Sequence, residues 1–157
     1  MSTRISDGAY IIRRPQYYET DSMRIVHHAN YVKWMEEARL HYFDECGFCW
    51  SAMERETGIM IPVLFQSVEY RRAIRFDEPV RIECACTKFN GVKMNFSYLF
   101  KSAETGAVKA VGTTRHGFIG GDCRPVALQN GYRPGYDALS AAYNASGGGR
   151  RPGPGDI

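Results

Sequence analysis

Residues 31–46 carry the clearest helical period of this chain, and most of the sequence beyond residue 60 alternates with the period of a strand. Tyr31, Trp34, Met35, Ala38, Tyr42 and Cys46 recur at i, i+3, i+4, i+7, i+11 and i+15, so one face of a 3.6-residue helix is apolar. Lys33, Glu36, Glu37, Asp44 and Glu45 occupy most of the remaining surface. Asn30 stands where an N-cap accepts from free backbone N–H groups, and Gly47 ends the pattern. A shorter helix is expected over 50–56, stopping at Gly58.

Before the long helix, residues 9–13 read as a strand that ends ahead of Pro15, and QYYETDS is a loop without a period. After the helices, residues 60–70 read as a strand with Pro62 near its start, where a missing donor is tolerated. Val80, Ile82, Cys84 and Cys86 share one face of the next strand. Asn90-Gly91 signals a two-residue hairpin, both positions accepting positive φ, and the returning strand aligns Val92, Met94, Phe96, Tyr98 and Phe100. A turn at 104–106 leads into a last strand over 108–119. One strand, one long helix and four antiparallel strands predict an α+β domain whose helix buries its stripe against a curved sheet.

Composition limits the alternatives. A length of 157 residues suits one core. The net charge of +3 is too small for an obligate nucleic-acid coat protein. No apolar run approaches the ~20 residues of a membrane span. The start, MSTRISDGAYIIRR, shows no apolar leader core, and five cysteines without a secretory signal fit reduced thiols, so a cytoplasmic location is expected. From Asn144 the chain reads NASGGGRRPGPGDI, too poor in apolar residues to offset its ordering entropy. The expected division is therefore a domain over 5–143 and a flexible tail over 144–157.

There is no G-x-S-x-G, Walker A, H-E-x-x-H or G-x-G-x-x-G motif. Cys46 and Cys49 form a C-x-x-C after a helix rather than after a strand, and Cys84 and Cys86 share a strand face, so no four-thiol metal site is expected. Chemistry concentrates instead in residues 19–31, ETDSMRIVHHANY, which place Asp21 on a loop just upstream of a helix start. Free N–H groups and the positive end of a helix dipole stabilise an oxyanion, and a carboxylate opposite them can attack a carbonyl or activate water. The same spacing also suits a carboxylate that braces the loop and a His28 that caps the helix.

The residues YETDSM at 18–23 and HHANYVKWMEEAR at 27–39 resemble the hotdog-fold acyl-CoA thioesterases of the 4-hydroxybenzoyl-CoA thioesterase family. GIMIPV at 58–63, YRRAIRFD at 70–77, FNGVK at 89–93, ETG at 104–106 and TTRH at 113–116 look like the same family, in the same order. The resemblance covers about residues 10–128. It implies a hotdog fold, one long helix wrapped by a curved antiparallel sheet of about five strands. It also implies hydrolysis of an acyl-CoA thioester with Asp21 as nucleophile or general base and the His28 backbone N–H as oxyanion donor. His28 and Asn30 would flank the site, Tyr31, Trp34 and Met35 would line the acyl pocket unless they are ordinary helix core, and no metal or redox cofactor is implied, CoA being part of the substrate.

Arg24 departs from the pattern, since many relatives have Gly there; the residue either crowds the loop or sets a cation beside an anionic group. Lys93, after the Asn90-Gly91 hairpin, and Arg71 and Arg72 are the expected holders of the CoA phosphates. The family resemblance implies a site between subunits, hence a homodimer or homotetramer. Three other readings stay open: an acyl carrier protein thioesterase, a hotdog dehydratase or hydratase using His28 with Glu37, and a single-stranded nucleic-acid module using the interleaved Arg and aromatic residues of 70–76 and 96–100.

Overall fold

A computed structural model describes residues 8–149 of the chain. Its elements are β1 (Ala9–Arg13), α1 (Ala29–Glu45), α2 (Trp50–Thr57), β2 (Val63–Tyr70), β3 (Val80–Phe89), β4 (Lys93–Ser102), β5 (Val108–Gly117), α3 (Leu128–Gly131) and α4 (Arg133–Ala145). The strands form one antiparallel sheet in the order β1-β3-β4-β5-β2. Among the described residues no helix is long and apolar enough to cross a membrane.

Strand period and helix period meet in the core. Ile82, Cys84 and Cys86 pair with Phe100, Tyr98 and Phe96 across β3 and β4, and all six are buried. The expected helix stripe lies over them: Tyr31, Trp34, Met35, Ala38 and Tyr42 are each at most 3% exposed. Each such large apolar side chain contributes roughly 1.5–3 kcal/mol relative to exposure. The helix crosses β5 at Gly112, where an added Cβ would lie 2.6 Å from Met35 Sδ. Glycine there allows the close approach.

Several expectations are corrected. The α1 N-cap is His28, and Asn30 lies inside the first turn with its side chain turned to the Glu19 carbonyl. Capping falls to His27, whose Nδ1 accepts the Ala29 N–H at 3.1 Å. The β3–β4 connection has three residues rather than two, because Asn90 Oδ1 accepts from both Val92 and Lys93 N–H. Within it Gly91 takes a positive φ of 83°, Asn90 does not, and Val92 leaves the buried face. The strand expected over 60–70 begins at Val63, Met60 making only an isolated bridge to Ile119.

Helices α3 and α4 were not legible. Gly131, Pro134 and Gly135 break the pattern, yet Pro134 sits at the helix start where its missing N–H is harmless. Gly135 is required because a Cβ would meet the Tyr132 and Phe48 rings at under 3 Å. Leu139 and Ala142 are buried, and Tyr136 packs on Phe89 with ring centroids 5.7 Å apart. Helix α4 runs to Ala145, two residues into the stretch expected to be a tail; residues 5–7 and 150–157 of the expected division lie outside the described residues.

Strand β2 differs from the others. It lies at the sheet edge with Val63, Leu64, Phe65 and Tyr70 between 44% and 64% exposed.

Candidate active site

The loop between β1 and α1 is built around Glu19. A single 3-10 turn, Tyr17–Glu19, leaves its carboxylate buried. Oε1 accepts from Arg13 Nη2 at 2.8 Å and from Trp34 Nε1 at 3.1 Å, while Oε2 accepts from the Gln16 N–H at 2.8 Å. Burial pushes this carboxyl upward, but the bonds from Gln16 and Trp34 and the Arg13 charge outweigh it and hold Glu19 below the usual carboxylate value. The Glu19 carbonyl accepts from the His27 N–H and from Asn30 Nδ2, each at 2.8 Å. One residue therefore ties strand, loop and helix together. Sequence reading missed it; its only signal was a lone glutamate among tyrosines.

Beyond Glu19 the chain folds back on itself. Thr20 pairs with Val26, the Asp21 N–H donates to the Ile25 carbonyl at 2.9 Å, and the Arg24 N–H donates to the Asp21 carbonyl at 2.9 Å. Arg24 takes the left-handed conformation, φ 62°, that favours glycine. The half-buried Asp21 accepts the Met23 N–H on Oδ1 at 2.8 Å. Residues 25 and 26 anchor the loop to the opposite segment, with Val26 N–H on the Ile74 carbonyl and Ile25 bridged to Arg75.

At the start of α1 the donors can be counted. Ala29 N–H goes to His27 Nδ1, Asn30 N–H to the His27 carbonyl and Tyr31 N–H to the His28 carbonyl. Among the described residues the His28 N–H has no hydrogen-bond partner. It is thus a free donor at the positive end of a 17-residue helix. The His28 ring stacks on His27 at 4.1 Å.

The other predicted residues are distributed unevenly. Tyr31 packs edge-to-face on Tyr70 at 4.9 Å, and burial, with Tyr70 and Glu78 nearby, raises its hydroxyl to about 12. Trp34 and Met35 are fully enclosed in the core, one on Glu19 and the other against Gly112. Arg71 and Arg72 leave the end of β2 with both N–H groups on the Lys109 carbonyl, close to the 74–75 segment that holds the Asp21 loop. Lys93 pairs with Gly117 at the other end of the sheet, seven residues along β5 from the Ala110 that pairs with Tyr70, about 23 Å away. One chain therefore does not bring Lys93 together with Arg71 and Arg72.

Geometry also weighs on the open readings. Glu37 is bridged to Arg13 at 3.4 Å and lies nine residues along α1 from His28, about 13 Å by helix rise, so the two do not form an acid-base pair within the chain. Phe96, Tyr98 and Phe100 are at most 1% exposed and present no stacking platform to bases. Burial pushes the Cys84 and Cys86 thiols upward, away from thiolate chemistry.

Residues 15–133 match the model of the thioesterase-like superfamily, and the chain belongs to that family. It is a thioester hydrolase of hotdog fold. YneP of Bacillus subtilis (strain 168), provisionally assigned as an acyl-CoA thioesterase, is 33% identical over 96 residues, 60% of this chain and 69% of the relative. The acyl-CoA thioester hydrolase YbgC of Escherichia coli O157:H7 is 30% identical over 91 residues, 58% of this chain and 67% of the relative. The structure of a DHNA-CoA thioesterase from Staphylococcus aureus superposes with a TM-score of 0.83 at 28% identity, covering 91% of this chain and 95% of that one.

Proposed function

We propose that the protein hydrolyses acyl-CoA thioesters, with Asp21 as the reacting carboxylate and the His28 backbone N–H as oxyanion donor. What supports this reading is that the loop tied together by the Glu19 carbonyl carries a pinned, half-buried Asp21 and leads into a helix start where, among the described residues, the His28 N–H has no partner. The similarity to relatives that carry acyl-CoA thioesterase names supports CoA as the carrier.

On the nucleophilic route Asp21 adds to the thioester carbonyl while the oxyanion takes the His28 N–H. Collapse expels CoA thiolate and leaves a mixed anhydride that water opens. On the general-base route Asp21 takes a proton from the water that adds to the same carbon. Neither route calls for a metal or a redox cofactor. Asn30, fixed on the Glu19 carbonyl, acts as a positioning residue for the helix start, and the His28 ring and the edge of Tyr31 border the substrate. Trp34 and Met35 support the pocket from beneath rather than touching substrate. Arg24 extends a cation from the loop tip toward the carrier's phosphates.

The apolar edge of β2 supports a dimer. A long exposed edge strand is a template for pairing, and pairing β2 with its two-fold copy is antiparallel. That arrangement sets the partner's Lys93 end beside the end of β2 that carries Arg71 and Arg72, so basic residues of two chains would hold one CoA. Association of two dimers into a tetramer is compatible with the same site. Five thiols, none in a disulfide, fit the reducing cytoplasm.

Thiol release from a panel of acyl-CoAs tests the activity, and Asp21→Asn is expected to cut kcat by about 100-fold or more without unfolding the chain. Parent-level turnover by Asp21→Asn would refute the mechanism. Single turnover in ¹⁸O-water marks the nucleophilic route where water opens the anhydride at the Asp21 carbon, which puts the label in Asp21 and none in the product. Label in the product alone fits both the general-base route and opening at the acyl carbon, and rapid-quench mass spectrometry of acylated Asp21 then separates them. A parallel panel of acyl carrier protein esters assigns the carrier.

A further inference from the structure

A cavity of about 350 Å³ lies between α1, α2 and the segment that leads into β2, away from the Asp21 loop. Leu40, Phe43 and Met53 give it apolar walls, Glu36 and Glu54 stand exposed among its lining residues, and Arg39 lines it from α1. Arg39 is only 8% exposed. Its Nη1 donates to the Tyr98 hydroxyl at 3.0 Å, which bonds Thr114 Oγ1 at 2.9 Å, which in turn bonds His116 Nε2 at 2.8 Å. That chain of neutral groups orients the guanidinium but supplies no counter-charge. Among the described residues no carboxylate lies within ion-pair distance of Arg39, not even Glu36 one turn away.

A buried cation without an anion is costly, and an anion that reaches it gains a charge-assisted, two-pronged hydrogen bond. The exposed carboxylates of Glu36 and Glu54 repel an incoming anion weakly because water and salt screen them, whereas Arg39 acts inside the cavity. Arg39 lies ten residues past Ala29, about 15 Å along the helix, a gap that a medium-length acyl chain spans together with the Arg39 side chain, which leans toward the helix start. We propose that this cavity receives the far end of the acyl group and that Arg39 selects chains terminating in a carboxylate. The inference rests on the thioesterase reading above and narrows its substrate class.

The test uses CoA thioesters of six, eight and ten carbons, each unsubstituted, ω-hydroxylated and ω-carboxylated. At one or more lengths the ω-carboxylated ester is expected to exceed the plain one in kcat/KM by about tenfold or more, and Arg39→Met is expected to erase that ratio. Met60→Glu, which puts a carboxylate on the cavity lining without touching the Tyr98 bond, is expected to lower the ratio as well, and serves if Arg39→Met does not fold. Calorimetric binding of the same esters to Asp21→Asn reads the preference without turnover. Plain or hydroxylated chains preferred at every length, or a carboxylate preference that survives Arg39→Met, would overturn the proposal. Absence of hydrolysis with the binding preference intact would instead refute the thioesterase reading alone.

Discussion

His116 makes the stability of this fold depend on pH between the ordinary histidine value and about 4. The side chain is 1% exposed on β5, with Nε2 on Thr114 Oγ1 at 2.8 Å and the Phe96 ring edge-on at 5.8 Å. Burial first, and then the positive charge of Arg39, pulls its value from 6.5 down to about 4. Between those values the unfolded chain binds a proton that the native chain refuses, so stability is full above about pH 6.5 and falls as pH drops toward 4. At 1.36 kcal/mol per pH unit the loss from this one group is about 1 kcal/mol at pH 5.5 and about 2–3 kcal/mol at pH 4.5. His116→Gln keeps a polar atom near Thr114 but cannot titrate. Urea unfolding of both proteins at pH 7.5, 5.5 and 4.5, at one protein concentration, should show the variant less stable at pH 7.5 and the gap closing by about 2–3 kcal/mol at pH 4.5. Glu19, with its value held below 4.5, contributes stability that is present above that value and lost below it, and it does so equally in both proteins. Parallel pH profiles for parent and variant would refute the burial argument.

Other perturbations separate the roles assigned above. Glu19→Gln leaves Arg13 without its buried partner and should cost about 2 kcal/mol while lowering kcat, because the Asp21 loop and the α1 start lose their common anchor; urea unfolding and thiol release read both effects. At Arg24, φ 62°, Arg24→Val should be less stable than Arg24→Gly by about 1 kcal/mol or more in thermal unfolding, since a β-branched residue resists that conformation. Leu64→Lys on the β2 edge should shift the protein toward monomer in sedimentation and remove activity with it, whereas an active monomer would refute the shared site. Arg71→Ala should raise KM for CoA esters with little change in kcat, and its penalty should shrink as salt rises.

Much of the fold was readable because its periods are undisturbed. The α1 stripe and the alternation of β3 and β4 reappear as the two faces of one core, and β1 keeps its expected limits. Gly58, with φ 71°, ends α2 where its missing side chain suggested. Helices α3 and α4 escaped because a proline and two glycines that usually break helices are here used at a helix start, Pro134, and against close neighbours, Gly131 beside Val126 and Ile59 and Gly135 beside the Tyr132 and Phe48 rings. The Asn90-Gly91 signal marked the right turn and the wrong loop length, since the Asn90 side chain takes two N–H groups that a tighter turn would leave free.

The sequence by itself determined the order of elements from β1 to β5, the buried faces of α1, β3 and β4 and the motif around Asp21, because these depend on residue type and spacing within one segment. Only the tertiary structure decided that Glu19 anchors the loop, that Lys93 and Arg71 stand at opposite ends of the sheet, and that, among the described residues, the His28 N–H is left without a partner and Arg39 is buried without an anion. Each of those facts depends on which atoms from distant segments fill the same space. Hydrogen-bond partners and desolvation are properties of that shared space, and the linear pattern does not contain them.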